Sequence, residues 1–385
     1  MSDDTRRALP HFAGIDVLRG LAVLAVVLHH VHLRFVLNHF DVAALLPKPI
    51  ARVVFWSGYY GVIVFFVISG FLITNLSLRR WSALPRIEAR AFYAMRFARI
   101  FPCLIALIAV LSVLHLAGVA DYEIDPAKAS LPRAIVAALA FHFNWLEGTR
   151  GYLPGSWDVL WSLSIEEAFY AFFPIVCIAL RSERAIVIAL LGFILIGPVS
   201  RVFDAASEPW DEYAYLSCMD GIAFGCLAAL LQARRAISPR ALRAAFAVGL
   251  ALMVLVIAFR STTNAIGLVS TGLYITLLEA GTALVLLATA GGVGERWSAR
   301  GLFAALGFVG RRSYEIYLTH MFVVFSTVAV FKAANADLAF VGLWYTAAVA
   351  VSIVLGDAVA RGFSFPMNRA LRRAAFAART PVPAA

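Results

Sequence analysis

The sequence predicts an all-α polytopic membrane protein with about ten transmembrane helices and both termini cytoplasmic, and three observations predict it. First, the 385 residues are 62% hydrophobic and only 15% charged, with a mean hydropathy of +0.84. A soluble domain of this length needs a charged surface and cannot be so apolar. Second, apolar runs of ~20 residues, the length that spans a bilayer, recur along most of the chain. Third, the cations are sorted: there are 30 Arg against three Lys, and most of the Arg lie between apolar runs. Loops on the cytoplasmic face carry such an excess, so the net charge of +10 reads as loop charge rather than as a nucleic-acid footprint.

In chain order, spans are expected near 12–33, 54–77, 98–118, 158–180, 185–205, 213–233, 241–259, 264–290, 302–330 and 338–361. Arg6 and Arg7 precede a long apolar stretch that holds Arg19, His29 and His30 and has no small-residue cleavage site. The first span is therefore expected to remain in the mature protein. The apolar piece 133–146 is decided by charge. Segments 78–99, 181–184, 234–243, 295–300 and the tail are basic, whereas 119–132, 206–212 and 331–337 are acidic or mixed and the three Lys lie on their side. Ten spans put every strongly basic segment on one face; an eleventh at 133–146 would give all later loops the wrong sign. That piece is expected to be an outer-face or re-entrant segment. Residues 1–366 form one membrane-embedded domain, and 367–385 a basic cytoplasmic tail that lies at the interface. Cys103, Cys177, Cys218 and Cys226 fall inside apolar runs. They read as small buried hydrophobes, neither disulfides nor a metal set.

The ionisable residues inside the spans are the informative ones, because a charge in hydrocarbon is costly and faces the protein interior or a water-filled path. Arg19 and His30 are eleven positions apart, ~16 Å along one face of a helix. They read either as a polar stripe or as a snorkelling Arg and an interhelical His. Ser69-Gly70 in mid-span permits close backbone approach, and Ser69 serves as a nucleophile only with a paired base. Arg96 and Arg99, three apart on a helix entering the membrane, form a fork suited to phosphates; lipid headgroups are the bland alternative. Glu166 and Glu167 stand side by side in an apolar helix, ~100° apart around its axis, so the two take different roles. A purely structural role for both is hard to defend, since each buried charge needs a partner. Asp220, and Tyr314 with His320, are further candidates; Glu315 and Tyr317 lie off the face those two share.

These segments, taken together, resemble the acyltransferase-3 family of integral membrane O-acyltransferases. A basic residue, ten residues and a His are matched by Arg19 and His30. The family's FF-x-x-SGFLI is matched from Phe65 to Ile73, R-x-x-R-I-x-P by Arg96, Arg99 and Pro102, and WS-L-S-x-E-E-x-F-Y from Trp161 to Tyr170. D-G-x-A-x-G and SY-x-x-YL-x-H are matched at Asp220–Gly225 and Ser313–His320. The six matches run in the family's order over nearly the whole chain. Two positions depart: Ala168 stands where Gln follows the Glu pair, and the late F-I-E-x-P-F segment reads Gly362-Phe-Ser-Phe-Pro366-Met, without its acidic residue.

The resemblance implies a membrane-embedded acyltransferase domain that takes acyl-CoA, acetyl-CoA first among the donors, from the cytoplasm. No cofactor is held tightly and no metal is used. The acceptor is a hydroxyl of a saccharide or lipid-linked acceptor: O-antigen, exopolysaccharide, peptidoglycan, glycolipid or a related compound. In that reading His30, held by Glu166 or Glu167, is the general base or relays the acyl group, and Arg19, Arg96 and Arg99 hold the donor. The SGNH-type domain fused to some members is missing from the sequence. The implied setting is the bacterial inner membrane, among membrane lipids and without nucleic acid, the chain acting alone or as a homo-oligomer. The main rival is a proton-coupled small-molecule or acyl-group transporter, which uses the same intramembrane residue types. Neither an inverted repeat nor a matched pair of broken helices supports it.

Overall fold

Every regular element among the described residues is helical, as a chain that must satisfy its backbone within each segment in hydrocarbon requires. The computed structural model describes residues 12–40, 46–205 and 208–377; Arg6, Arg7, part of the 206–212 loop and the last residues of the tail lie outside them. Ten helices are long and apolar enough to cross a bilayer: α1 Ala13–Leu37, α2 Gly58–Trp81, α3 Ala89–Leu116, α4 Leu160–Leu180, α5 Glu183–Asp204, α6 Tyr215–Arg234, α7 Pro239–Ala258, α8 Leu273–Ala290, α9 Ser313–Ala333 and α10 Val341–Val359. A five-residue π-helical turn, Ala360–Ser364, carries α10 into α11, Phe365–Ala377. The expected spans thus reappear in number and order. The helices alternate between a face carrying the Arg-rich loops, the basic face, and an opposite face.

Local sequence sets the ends. Ser238 precedes Pro239 at the start of α7, and its hydroxyl accepts the Ala241 N–H at 3.2 Å, filling one of the amides that a helix start leaves unpaired. The 133–146 segment does not span. It forms two short helices, Leu131–Leu139 and Phe143–Arg150, with Phe141 in the left-handed region (φ 57) between them. Both stay at the opposite face, pinned where Ser164 accepts the Phe143 N–H at 3.0 Å and Tyr215 donates to the Phe141 carbonyl at 2.6 Å.

Two expected boundaries are corrected. The span at 264–290 begins at Leu273, because Gly267 and Gly272 take positive φ values of 78° and 68° and break the helix. The span at 302–330 is two helices, a short Gly301–Arg311 and α9, parted at Arg312. Arg312 is held there by an ion pair of 2.6 Å to Asp357 and by its guanidinium 3.8 Å over the Phe308 ring. The short helix lies against α1.

Glycines decide how closely the central helices approach. A Cβ on Gly70 of α2 would sit 1.9 Å from the Ile222 carbonyl oxygen, and one on Gly225 of α6 would sit 1.9 Å from that of Val67. The two motif glycines therefore face each other's helix backbone, and α2 packs tightly on α6. All four cysteines are buried and free.

Candidate active site

Five helices converge on a cavity of about 250 Å³. From α1 comes Arg19, from α2 Phe65, Ser69 and Leu72, from α3 Arg96 and Arg99, from α4 Ser162, Glu166, Glu167 and Tyr170, and from α9 Ser313, Tyr314 and Tyr317. Most of the residues singled out in the sequence therefore line one space, although they lie up to about three hundred positions apart.

The arginines stand at its basic end. Arg96 lies 4.3 Å over the Tyr170 ring. Arg99 lies 5.0 Å over the Tyr314 ring and donates to Glu315 Oε1 at 2.6 Å and to Ser364 Oγ at 3.2 Å. Ser364 in turn donates to the same Glu315 oxygen at 2.6 Å. Arg19 pairs loosely with Asp16, at 3.6 Å, and Asp16 also meets Arg311 at 3.8 Å. A guanidinium stacked on a ring keeps its in-plane N–H groups for an oxyanion, so this end is built for phosphate or carboxylate.

Midway stands Glu166. Its Oε1 accepts the Ser69 hydroxyl and, at 2.5 Å, the Tyr170 hydroxyl. Ser69 thus has a carboxylate partner from another helix. Glu167 is 5% exposed, and its Oε1 is buried without a hydrogen bond; Arg96 is the nearby opposing charge. The sequence shows no cation near the pair; the fold supplies one from α3.

At the inner end Ser162 and Tyr317 share a hydrogen bond of 2.7 Å. One turn further along α9, His320 Nδ1 meets the Tyr317 carbonyl oxygen at 2.6 Å, and His320 Nε2 lies 3.3 Å from His30 Nδ1. His30 Nδ1 also faces the Val26 carbonyl at 2.9 Å. His30 thus meets His320, while the Glu166 side chain is engaged with Ser69 and Tyr170. In the neutral pair each Nδ1 faces a carbonyl and so carries the proton, and His320 Nε2 accepts from His30. The lone pair of His30 Nε2 is left for chemistry, and the residue is half-buried.

Asp220 is not part of this site. It takes a two-pronged ion pair from Arg201 (2.7 and 3.1 Å), with Glu279 3.9 Å from the same guanidinium, among α5, α6 and α8. Five participants lie outside the candidates that the sequence offers. Ser162 and Tyr170 stand there only as motif letters, Glu315 and Tyr317 lie off the face shared by Tyr314 and His320, and Ser364 stands where the family has an acid. A second, almost wholly apolar cavity of about 370 Å³ lies beyond Glu315, between α3, α9 and α10.

The class of protein follows from comparison with known families. The acyltransferase-3 model, described as an acyltransferase domain, matches residues 12–359, and the chain belongs to that family. Among curated relatives, it is 25% identical to the peptidoglycan O-acetyltransferase OatA of Listeria monocytogenes, over 88% of this chain and 53% of that one. It is 27% identical to the O-acetyltransferase OatA of Staphylococcus aureus (strain NCTC 8325) over 43% of this chain and 24% of that one. The chain thus spans about half or less of the length of these relatives. No solved structure matches it.

Proposed function

We propose that this chain is an acyl-CoA-dependent O-acyltransferase of the bacterial inner membrane, with acetyl as its cargo and a hydroxyl of an envelope carbohydrate as its acceptor. The observation that carries this reading is the cavity: three arginines at its basic end, Glu166 held by two hydroxyls midway, and the His320–His30 pair past its inner end. The basic face is the cytoplasmic one by its Arg excess, so both ends of the chain lie there and the donor enters from that side. Residues 1–366 then form the acyltransferase domain.

In this reading Arg19, Arg96 and Arg99 hold the phosphates of the donor at the basic end, and its thioester reaches the inner end. The acceptor oxygen bonds to the thioester carbonyl carbon as its proton passes to His30 Nε2. The C–S bond then breaks, and that proton goes to the departing thiolate. His320 acts as a positioning residue, keeping His30 in the tautomer that leaves Nε2 basic. The hydroxyls of Ser162 and Tyr317 line the inner end, where the carbonyl oxygen gains charge.

The test is turnover of acetyl-CoA by purified protein, together with mass spectrometry of envelope polysaccharide from cells with wild type, His30→Ala or no protein. Wild type should consume donor and add an acetyl mass, and His30→Ala should lose about 10²–10⁴-fold in kcat. Full turnover by His30→Ala would remove the base. Absence of any donor consumption, with the chain folded, would shift the weight to transport.

A further inference from the structure

The tail helix α11 does more than rest on the membrane. It lies along α3, and its start is tied down where Ser364, buried at the end of the π-helical turn, hydrogen-bonds Glu315 and Arg99. Twelve residues on, Phe376 covers the Arg80 guanidinium at 5.3 Å from its ring centroid, while Arg80 also lies 5.7 Å from the centroid of Trp81. One turn before Phe376, Arg372 stands within charge reach of both Arg80 and Arg96. Arg96 lines the cavity. Arg372 thus stands between a guanidinium of α2 and one of α3 that lines the cavity. Glu166 and Glu167, which line the cavity, lie within charge reach of Arg96. Like charges gathered in this way repel one another unless an anion sits among them, and ring-stacked guanidiniums present their N–H edges to such an anion.

We propose that Arg80, Arg96 and Arg372 form a phosphate site at the cavity mouth, with α11 as its outer wall, and that it takes the nucleotide phosphates of the donor. This deepens the acyl-CoA reading and rests on it. The tail then belongs to the substrate site and not to a separate interfacial segment. An anionic lipid headgroup carries the same phosphate chemistry, so the test must separate the two sources.

The full chain is reconstituted in vesicles of phosphatidylcholine, with or without phosphatidylglycerol. Its kinetics are measured with acetyl-CoA and with acetyl-pantetheine, a thioester that lacks the phosphates. Arg372→Ala is expected to raise KM for acetyl-CoA about tenfold with kcat retained, in both kinds of vesicle, and to leave KM for acetyl-pantetheine unchanged. Arg372→Glu should exceed that effect in the same direction. Three results overturn the proposal: an unchanged KM for acetyl-CoA, an equal rise for both donors, or a rise only with phosphatidylglycerol, which assigns the site to lipid. If wild type turns over neither thioester, the donor reading fails and this proposal with it; if wild type is active and Arg372→Ala matches it, this proposal alone fails.

Discussion

Arg99 donates to Glu315 at 2.6 Å, and the same carboxylate oxygen takes the Ser364 hydroxyl at 2.6 Å. The acid that the sequence lacks at position 364 is thus supplied from α9, one helix away, and it aims Arg99 into the cavity. Removing it leaves a partly buried arginine without its counter-charge, free to swing toward solvent. Glu315→Gln should therefore raise KM for acetyl-CoA about tenfold with a smaller effect on kcat, as loss of a binding interaction does. The double variant Glu315→Ser with Ser364→Glu restores a carboxylate to the same guanidinium and should recover most of the loss; a swap no better than Glu315→Gln alone would show that Glu315 does not act through its charge. A different carboxyl carries a pH effect. Burial, then the neighbouring Asp158 carboxylate, hold Glu147 well above its ordinary 4.5, against a weaker pull from the backbone N–H of Leu153 and from Lys128. The folded chain keeps this proton where the unfolded chain has lost it. The stabilisation is therefore complete below 4.5 and fades as pH rises through the raised value. Glu147→Gln keeps an acceptor for the Leu153 N–H, 2.9 Å away, and removes the titration. Its unfolding temperature in detergent should fall less than that of wild type as pH rises above 4.5.

At the scale of elements, the α2–α6 crossing positions Ser69, and through it Glu166, by bringing two glycine faces into backbone contact. Gly70→Ala places a methyl 1.9 Å from the Ile222 carbonyl oxygen, which no rotamer relieves. The helices must part, and the Ser69–Glu166 hydrogen bond with them. A loss of folded protein by size-exclusion chromatography is expected for Gly70→Ala and for Gly225→Ala. By contrast Gly192→Ala, whose Cβ meets nothing within 4 Å, should leave yield and unfolding temperature as they are. A stable, active Gly70→Ala protein would contradict this packing. The break at Arg312 belongs to the same scale. By ending the short helix and starting α9 afresh, it sets the direction in which Tyr314, Tyr317 and His320 project.

At the scale of the whole molecule, the proposed topology puts the basic end of the cavity toward the cytoplasm and the two short helices of 131–150 on the other side. A reporter fused after Arg150 should read extracytoplasmic, and one fused in the basic loop after Arg235 cytoplasmic. The reverse at Arg150 would invert the proposed direction of donor entry.

The sequence by itself determined the all-helical membrane class, the ten spans and their order, and a set of candidates of which most line one cavity. It could do so because bilayer thickness and the cost of charge in hydrocarbon act on each segment separately, so each segment carries its own record. Pairing carries no such record. That Glu166 serves Ser69 and Tyr170 while His30 turns to His320, that Asp220 is drawn away to Arg201, and that Glu315 stands in for an acid missing at 364 were decided by the tertiary structure. Each of these depends on which helix faces come together, and that is set by close packing at small residues and breaks between distant segments rather than by spacing along any one of them.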